Sequence, residues 1–499
     1  MLFHSFSFLF VFLPLAVMGF FTTAHIGGRR IAILWLIAAS LFFYAWWNPV
    51  YILLLFVSII TNYLLGVFLQ ARERHRKSIL FAGISFNLLL LGYFKYANFF
   101  VDTLDALTGI GWNLSHIVLP LGISFFTFQK IAYLVDIYQR KTVPAGFLDY
   151  CLFVAFFPQL IAGPIVHHAE MIPQFKNPQM LRFSSENIAV GLTILLAGLA
   201  KKVIFADTIA AFATPVFAAS ARGATIAFPE AWGAALAYTL QLYFDFSGYT
   251  DMAIGSARLF GLHLPSNFNA PYVSVSIVDF WRRWHITLSR FLRQYVYVPL
   301  GGNRKGRVRT CINLFVTLLV GGVWHGAGWT FVVWGALHGT YLVINHAWSG
   351  FRKSLGHAKT APSFLGTLAG RTLTFLAIVC GWVLFRAENL ASAGSMLLSM
   401  SGMRTGLWNE LIIPGAEWRI GAACIVFLLL VVWCAPTLQQ WMCAYYPAFD
   451  EQASEQTGFL QGFCWSPTPI FALALAIVTI LSLTFLTHHA QSEFLYFQF

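Results

Sequence analysis

Apolar runs of about twenty residues, parted by short basic or polar stretches, recur along the whole chain. A helix of that length rises about 30 Å, the thickness of a membrane's hydrocarbon core. The early runs predict helices at about 3–22, 31–47, 50–69, 79–98 and 118–138. Between and after them lie Arg29-Arg30, then Asn48-Pro49, then Arg72, Arg74, Arg76 and Lys77, then a loop with Asp102 and Asp105, then Arg140-Lys141. Threaded alternately across a membrane from an outside N-terminus, every basic cluster falls on the cytoplasmic side. From 150 to 270 the alternation is lost. Pro158, Pro164 and Pro173 interrupt the runs, Phe157 to Phe175 reads as a re-entrant stretch, and Lys201-Lys202 mark the cytoplasmic side. Runs near 371–387, 419–434 and 469–487 resume the alternation and put 488–499 outside. The stretch 436–467 then falls inside, although it carries Asp450, Glu451 and Glu455 and neither Lys nor Arg.

One pair of runs departs from the pattern. The apolar stretch at about 312–324 is 13 residues and spans only roughly 20 Å. It runs into Gly-Gly-Val-Trp-His-Gly-Ala-Gly at 321–328, and a second run follows at about 329–346. Arg304, Lys305, Arg307 and Arg309 precede the pair, and Arg352 and Lys353 follow it. With both basic ends cytoplasmic, the two helices form a hairpin that turns near His325, deep in the membrane. An ionisable side chain there is costly and marks a functional site.

The chain is 58% hydrophobic and 10% charged, against about 25% charged in soluble domains. Its apolar runs are continuous rather than alternating, which excludes a transmembrane barrel. The fold class is therefore all-α and polytopic, one membrane domain over 1–499 with no interval for a soluble domain of ordinary size. A formal charge of +12 agrees with basic cytoplasmic loops. Those residues are split among short loops, so nucleic acid is not a partner; the lipid bilayer is. The seven cysteines form no C-x-x-C and read as packing residues, with no disulfide framework. The N-terminal stretch lacks a basic region before its apolar run, the charge order of an uncleaved first helix.

Three groups of residues could carry chemistry. The first is the histidines. His285 lies in Asp279-Phe-Trp-Arg-Arg-Trp-His285, His325 follows Trp324, and His338 follows 13 residues later. A buried histidine alone is more often a packed core group, and these three lack local metal-ligand spacing, so no metal site is expected. The second is the segment 282–309, with eight basic residues and none acidic. It reads either as an amphipathic helix on the inner leaflet or as a mouth in which Arg290, Arg293, Arg304 and Lys305 attract a phosphorylated donor. The third is Asp245 and Asp251 in Tyr243-Phe-Asp-Phe-Ser-Gly-Tyr-Thr-Asp251, carboxylates in an apolar context that more often orient helices than perform acid chemistry.

Taken together, Tyr44-Ala-Trp-Trp47, Gly92-Tyr-Phe-Lys-Tyr-Ala-Asn98, Pro120-Leu-Gly-Ile-Ser-Phe125, Phe157-Pro-Gln-Leu-Ile-Ala-Gly-Pro164, the 243–251 stretch, Phe280-Trp-Arg-Arg-Trp-His285 and Val323-Trp-His-Gly326 resemble the membrane-bound O-acyltransferase family. The likeness is greatest to its bacterial branch of polysaccharide O-acetylases, alginate systems among them. The resemblance implies a ring of roughly 11–12 transmembrane helices, with re-entrant and amphipathic helices, around a thin centre crossed by a tunnel. It implies His325 and His285 as catalytic, with Trp324, His338, Asp245 and Asp251 lining the tunnel or orienting its groups. It implies a bacterial inner membrane, both termini periplasmic, and a cytoplasmic thioester donor such as acetyl-CoA, with no tightly bound cofactor. Acetyl groups would pass to periplasmic acetyltransferase or acceptor proteins that modify an exported polysaccharide: alginate, cellulose, peptidoglycan or another. An imidazole kept neutral by apolar surroundings is competent as the base. The alternatives are a transporter or flippase for a lipid-linked sugar, with intramembrane His and Asp as binding groups, and a scaffold subunit of a polymer-secretion complex.

The tail Phe494-Leu-Tyr496-Phe-Gln-Phe499 places four aromatics in six residues. Such a tail either anchors in the headgroup region or enters the outer mouth of the tunnel, where Tyr496 would accept the acyl group as a covalent relay. The spacing F-x-Y-x-x-F is similar to the C-terminal motif of a small separate protein of the related D-alanyl transfer systems.

Overall fold

Inside a bilayer no water bonds the backbone, and a helix satisfies its own N–H and C=O groups. The computed structural model describes residues 1–112, 114–161, 163–356, 363–404, 406, 411–449, 464–488 and 495. Among these no strand forms, and the β-type pairing is an isolated bridge between Phe268 and Trp284. Eight helical stretches among the described residues are long and apolar enough to cross a membrane. Ile123–Tyr138 is too short to be counted with them and Trp329–Ser354 too polar. The protein is an all-α, multi-pass membrane protein.

In chain order the helices are α1 (Ser7–Ala45), α2 (Tyr51–Ala71), α3 (Glu73–Thr108), α4 (Ile123–Tyr138), α5 (Phe147–Ala155) and α6 (His168–Lys176). Then come α7 (Ser185–Ala221), α8 (Phe228–Arg258), α9 (Ile277–Arg283), α10 (Ile286–Leu292), α11 (Gly306–His325) and α12 (Trp329–Ser354). The last are α13 (Phe364–Arg386), α14 (Leu390–Met400), α15 (Gly415–Cys434) and α16 (Pro469–His488). They build two compact units. Unit 1 comprises Met1–Leu199, Gly248–Ser266 and Leu438–Ile480; unit 2 comprises Ala200–Ser247, Asn267–Thr437 and Leu481–Phe499.

In unit 1 the first two predicted helices are one stretch, α1, broken at Gly28, whose φ of 64° is open to glycine without strain. The expected basic loop shrinks to that break. Arg29 follows it, bonds the Phe175 carbonyl at 2.9 Å and pairs with Asp149. The polar residues of α2 and α3 meet each other: the buried amides of Asn62 and Asn87 exchange two hydrogen bonds, of 2.7 and 3.2 Å. In apolar surroundings such a pair fixes the register of two helices. Asp102 and Asp105, expected in a loop, lie in the last turns of α3. Asp105 caps the helix end by accepting from the backbone of Gly111 and Trp112, which extends the helix beyond its apolar run. Lys201-Lys202 open a π-helical turn, Lys201–Ala206, inside α7.

Unit 2 carries the hairpin α11–α12, and it turns at residues 326–328 as the pattern predicts. The basic segment 282–309 is not a single amphipathic helix. It divides into the end of α9, a break at Trp284–His285, the short α10, a π turn at Arg293–Tyr297 and a glycine-rich turn before α11. The physical reason is tertiary. Residues 267–269 pair with 283–286 through Asn269 N to Arg283 O and Ile286 N to Asn267 O, each 3.0 Å. That pairing pulls His285 into a left-handed conformation, φ 43°, which ends the helix.

Candidate active site

The hairpin puts His325 at the last helical position of α11, buried. What brings α11 and α12 together is the absence of side chains between them. A Cβ on Gly322 would stand 2.5 Å from the Phe331 carbonyl oxygen, and one on Gly335 would stand 2.8 Å from that of Leu318. Neither neighbour is a movable side chain, so any larger residue would part the helices. Of the motif glycines Gly322 thus serves backbone contact, while Gly321 faces the Leu292 side chain and Gly326 and Gly328 face the Phe331 ring.

Around His325 stand three aromatic rings, all roughly edge to face: Trp324 at 5.0 Å, Trp334 at 5.1 Å and Phe385 at 5.2 Å between ring centroids. The His285 ring lies 6.3 Å from that of His325 and 6.2 Å from Trp324, with Phe246 against it at 4.8 Å. Asn267 fixes its tautomer. The Asn267 Oδ1 accepts from Thr287 Oγ1 at 2.6 Å and lies 3.3 Å from His285 Nδ1. An acceptor there places the ring proton on Nδ1 and the lone pair on Nε2. His285 lies outside the eight membrane-length helices, and burial pushes its imidazole down to about 3, so it is neutral. Imidazoles walled by aromatic rings can take a proton from a hydroxyl.

His338 packs against the same indole, 4.8 Å from Trp334, with Trp281 at 5.3 Å. Its Nε2 lies against the backbone of Gly381, where a Cβ would come within 2.6 Å. It is one ring removed from His325, in a packing position. Phe246 lies in the 243–251 motif without having been singled out, and Trp334, Phe385 and Asn267 carried no signal of this role: the first two are ordinary aromatics in an aromatic-rich chain, and Asn267 is a loop amide 18 positions before the ring it orients.

The two carboxylates separate. Asp245 is buried in unit 2, with Lys202 Nζ 2.6 Å from its Oδ1. Asp251 belongs to unit 1 and accepts from Gln439 Nε2 at 2.8 Å. Each is bonded within its own unit, Asp245 to Lys202 and the Leu495 backbone, Asp251 to Gln439. Of the basic residues, Arg293, Arg304 and Lys305 are exposed and Arg290 is half-buried. They lie on the stretch leading into α11, in the same unit as His325, and Asn313 pins the glycine-rich turn by donating to the Gly302 carbonyl at 2.8 Å. Tyr496 lies outside the described residues, but the neighbouring Leu495 is described: its backbone N–H donates to Asp245 Oδ2 at 3.0 Å.

The sequence pattern of the membrane-bound O-acyltransferase family matches residues 138–363, the stretch that holds all three histidines and the basic residues. The peptidoglycan O-acetyltransferase of Helicobacter pylori is 40% identical, across 100% of this chain and 98% of its own. The chain belongs to the membrane-bound O-acyltransferase family. A Pseudomonas aeruginosa protein named probable alginate O-acetylase is 39% identical, with 100% of both chains covered. More distantly, the teichoic acid D-alanyltransferase of Bacillus subtilis is 28% identical over 52% of this chain and 65% of its own. As a family member with full-length relatives of these names, the protein is an O-acyltransferase of the membrane.

Proposed function

We propose that the protein takes acetyl groups from a cytoplasmic thioester, acetyl-CoA or a carrier-bound equivalent, and delivers them across the inner membrane for O-acetylation of an exported polysaccharide. The observation that carries this reading is His325 at the turn of a glycine-packed hairpin, ringed by Trp324, Trp334 and Phe385, with His285 at 6.3 Å. In the proposed step His325 accepts the proton of an acceptor hydroxyl as its oxygen attacks the thioester carbonyl carbon. The C–O bond forms, the C–S bond breaks, the electron pair leaves on sulfur, and the imidazolium returns the proton to the thiolate. His285, its proton held toward Asn267, orients the reacting groups. Arg290, Arg293, Arg304 and Lys305 draw in the phosphates of the donor.

The acceptor in this reading is the Tyr496 hydroxyl. A phenyl ester is more activated than an acetylated sugar, so acetyl-Tyr496 can pass its group to a periplasmic acetyltransferase and on to the polymer. Support comes from Leu495, the residue before it, which is held in the same unit as His325 by its bond to Asp245. The polymer is a polysaccharide of the class named for the relatives, peptidoglycan or alginate. The deciding experiment supplies radiolabelled acetyl-CoA to the purified protein and follows thiol release and label on protein, with His325→Ala alongside. Equal turnover by that variant would remove His325 from the reaction.

A further inference from the structure

A second buried cluster in unit 2 is built around Asp245. Lys202 stands in the π-helical turn of α7, a local widening that recurs at functional sites. Its Nζ lies 2.8 Å from Asp207 Oδ1 and 2.6 Å from Asp245 Oδ1, and Lys202 and Asp245 are each 1% exposed. Two carboxylates thus share one ammonium. A carboxylate so enclosed is costly unless its oxygens are bonded. One oxygen of Asp245 faces Lys202; the other accepts the main-chain N–H of Leu495, 250 positions along the chain, whose side chain is also buried.

We propose that Asp245, held in place by Lys202, is the docking site of the chain segment around residue 495. Asp245 is a positioning residue in this arrangement, a clasp that fixes the register in which that segment enters unit 2. The donor is a backbone N–H, so the clasp recognises a main-chain position rather than a side chain, and the buried Leu495 side chain sets which residue occupies it. The Lys202 ammonium, 2.6 Å from Asp245 Oδ1, compensates the buried carboxylate and holds it in place. The proposal stands whether or not Tyr496 is acylated. It adds to the relay reading only that the residue after the clasp is presented in a fixed register.

Hydrogen exchange of the full-length protein in detergent or nanodiscs, read by mass spectrometry on peptides containing Leu495, tests this directly. The Leu495 amide is expected to exchange at least about tenfold more slowly in wild type than in Asp245→Ala, as loss of a bond to a charged acceptor implies. Because Asp245→Ala leaves Lys202 and Asp207 to rearrange, Leu495→Pro serves as the second variant. It removes the N–H and leaves the ion pair intact. It is expected to speed exchange in the neighbouring amides of the segment and to lower kcat while leaving the KM for acetyl-CoA unchanged, whereas Leu495→Ala, which keeps the N–H, stays closer to wild type. Equal exchange of the Leu495 amide in wild type and in a folded Asp245→Ala protein would overturn the clasp. Protection of Leu495 together with full activity of Tyr496→Phe would leave the clasp standing and remove the relay. An active relay with an unprotected Leu495 would do the reverse.

Discussion

The imidazole rings of His285 and His325 lie 6.3 Å apart, centroid to centroid, though they reach that point from different helices and different backbone conformations. His325 ends a regular helix. His285 occupies a left-handed break held open by its pairing with residues 267–269. If the two act on one substrate, His325→Ala lowers transfer by at least about 10²–10⁴-fold, the loss typical of a removed base, while membrane insertion and size-exclusion behaviour stay normal. Retention of more than half the polymer acetylation in cells that express the variant would sink the assignment.

Asn267 makes a sharper test of His285 than deletion of the ring itself. Asn267→Ala removes the acceptor beside Nδ1 and Thr287 Oγ1 and leaves buried donors to find new partners, a loss of about 1–3 kcal/mol where none is found. The expected result is a fall in kcat larger than any change in the KM for donor. Wild-type kcat in Asn267→Ala would show that the orientation of His285 does not matter to the reaction.

The hairpin contact predicts a contrast between two glycines of one helix. Gly335→Ala drives a methyl group to 2.8 Å from a carbonyl oxygen and is expected to lower the melting temperature and activity together, at an overpacking cost of about 1–3 kcal/mol. Gly350→Ala, with nothing within 4 Å, is expected to be neutral or mildly stabilising, as alanine favours helix. Thermal unfolding of the solubilised variants separates them.

The exposed cations before α11 predict a salt effect. Replacing Arg290, Arg293, Arg304 and Lys305 with Gln is expected to raise the apparent KM for acetyl-CoA and to flatten its dependence on ionic strength, since exposed attraction is screened over about 8–10 Å. A KM that does not move with salt in either protein would assign these residues to the membrane surface instead.

Tyr496→Phe keeps the ring and removes one oxygen. A relay predicts loss comparable to His325→Ala and, in wild type incubated with donor, one acetyl group on the peptide that contains Tyr496. An anchoring tail predicts near-normal acetylation.

The helices and the hairpin were legible because apolar runs of membrane length have few other solutions, and the turn at His325 follows from one run being too short. What escaped the pattern depends on distant pairing. Nothing around Trp284 and His285 forbids a helix; the break comes from residues 267–269, and tertiary context overrode local preference there. Asp102 and Asp105 were misplaced for a related reason, since a polar helix end with its own cap looks like a loop when only apolarity is read. Asp245 was recognisable as a buried carboxylate, but its partners, Lys202 and the backbone of Leu495, are 43 and 250 positions away. No spacing rule reaches that far.

The division of the chain into interleaved segments has a consequence for biogenesis. The last stretch of unit 1, Leu438–Ile480, is encoded after Asn267–Thr437 of unit 2. At about 5–20 residues per second a ribosome takes on the order of 10–30 s to cross that intervening stretch. Through that interval the early helices, with Arg29 and the Asn62–Asn87 pair already able to form, wait in the bilayer with an incomplete partner set. The polar bonds internal to unit 1 are therefore what must hold a half-made protein together while the ribosome is still translating the stretch that carries His325.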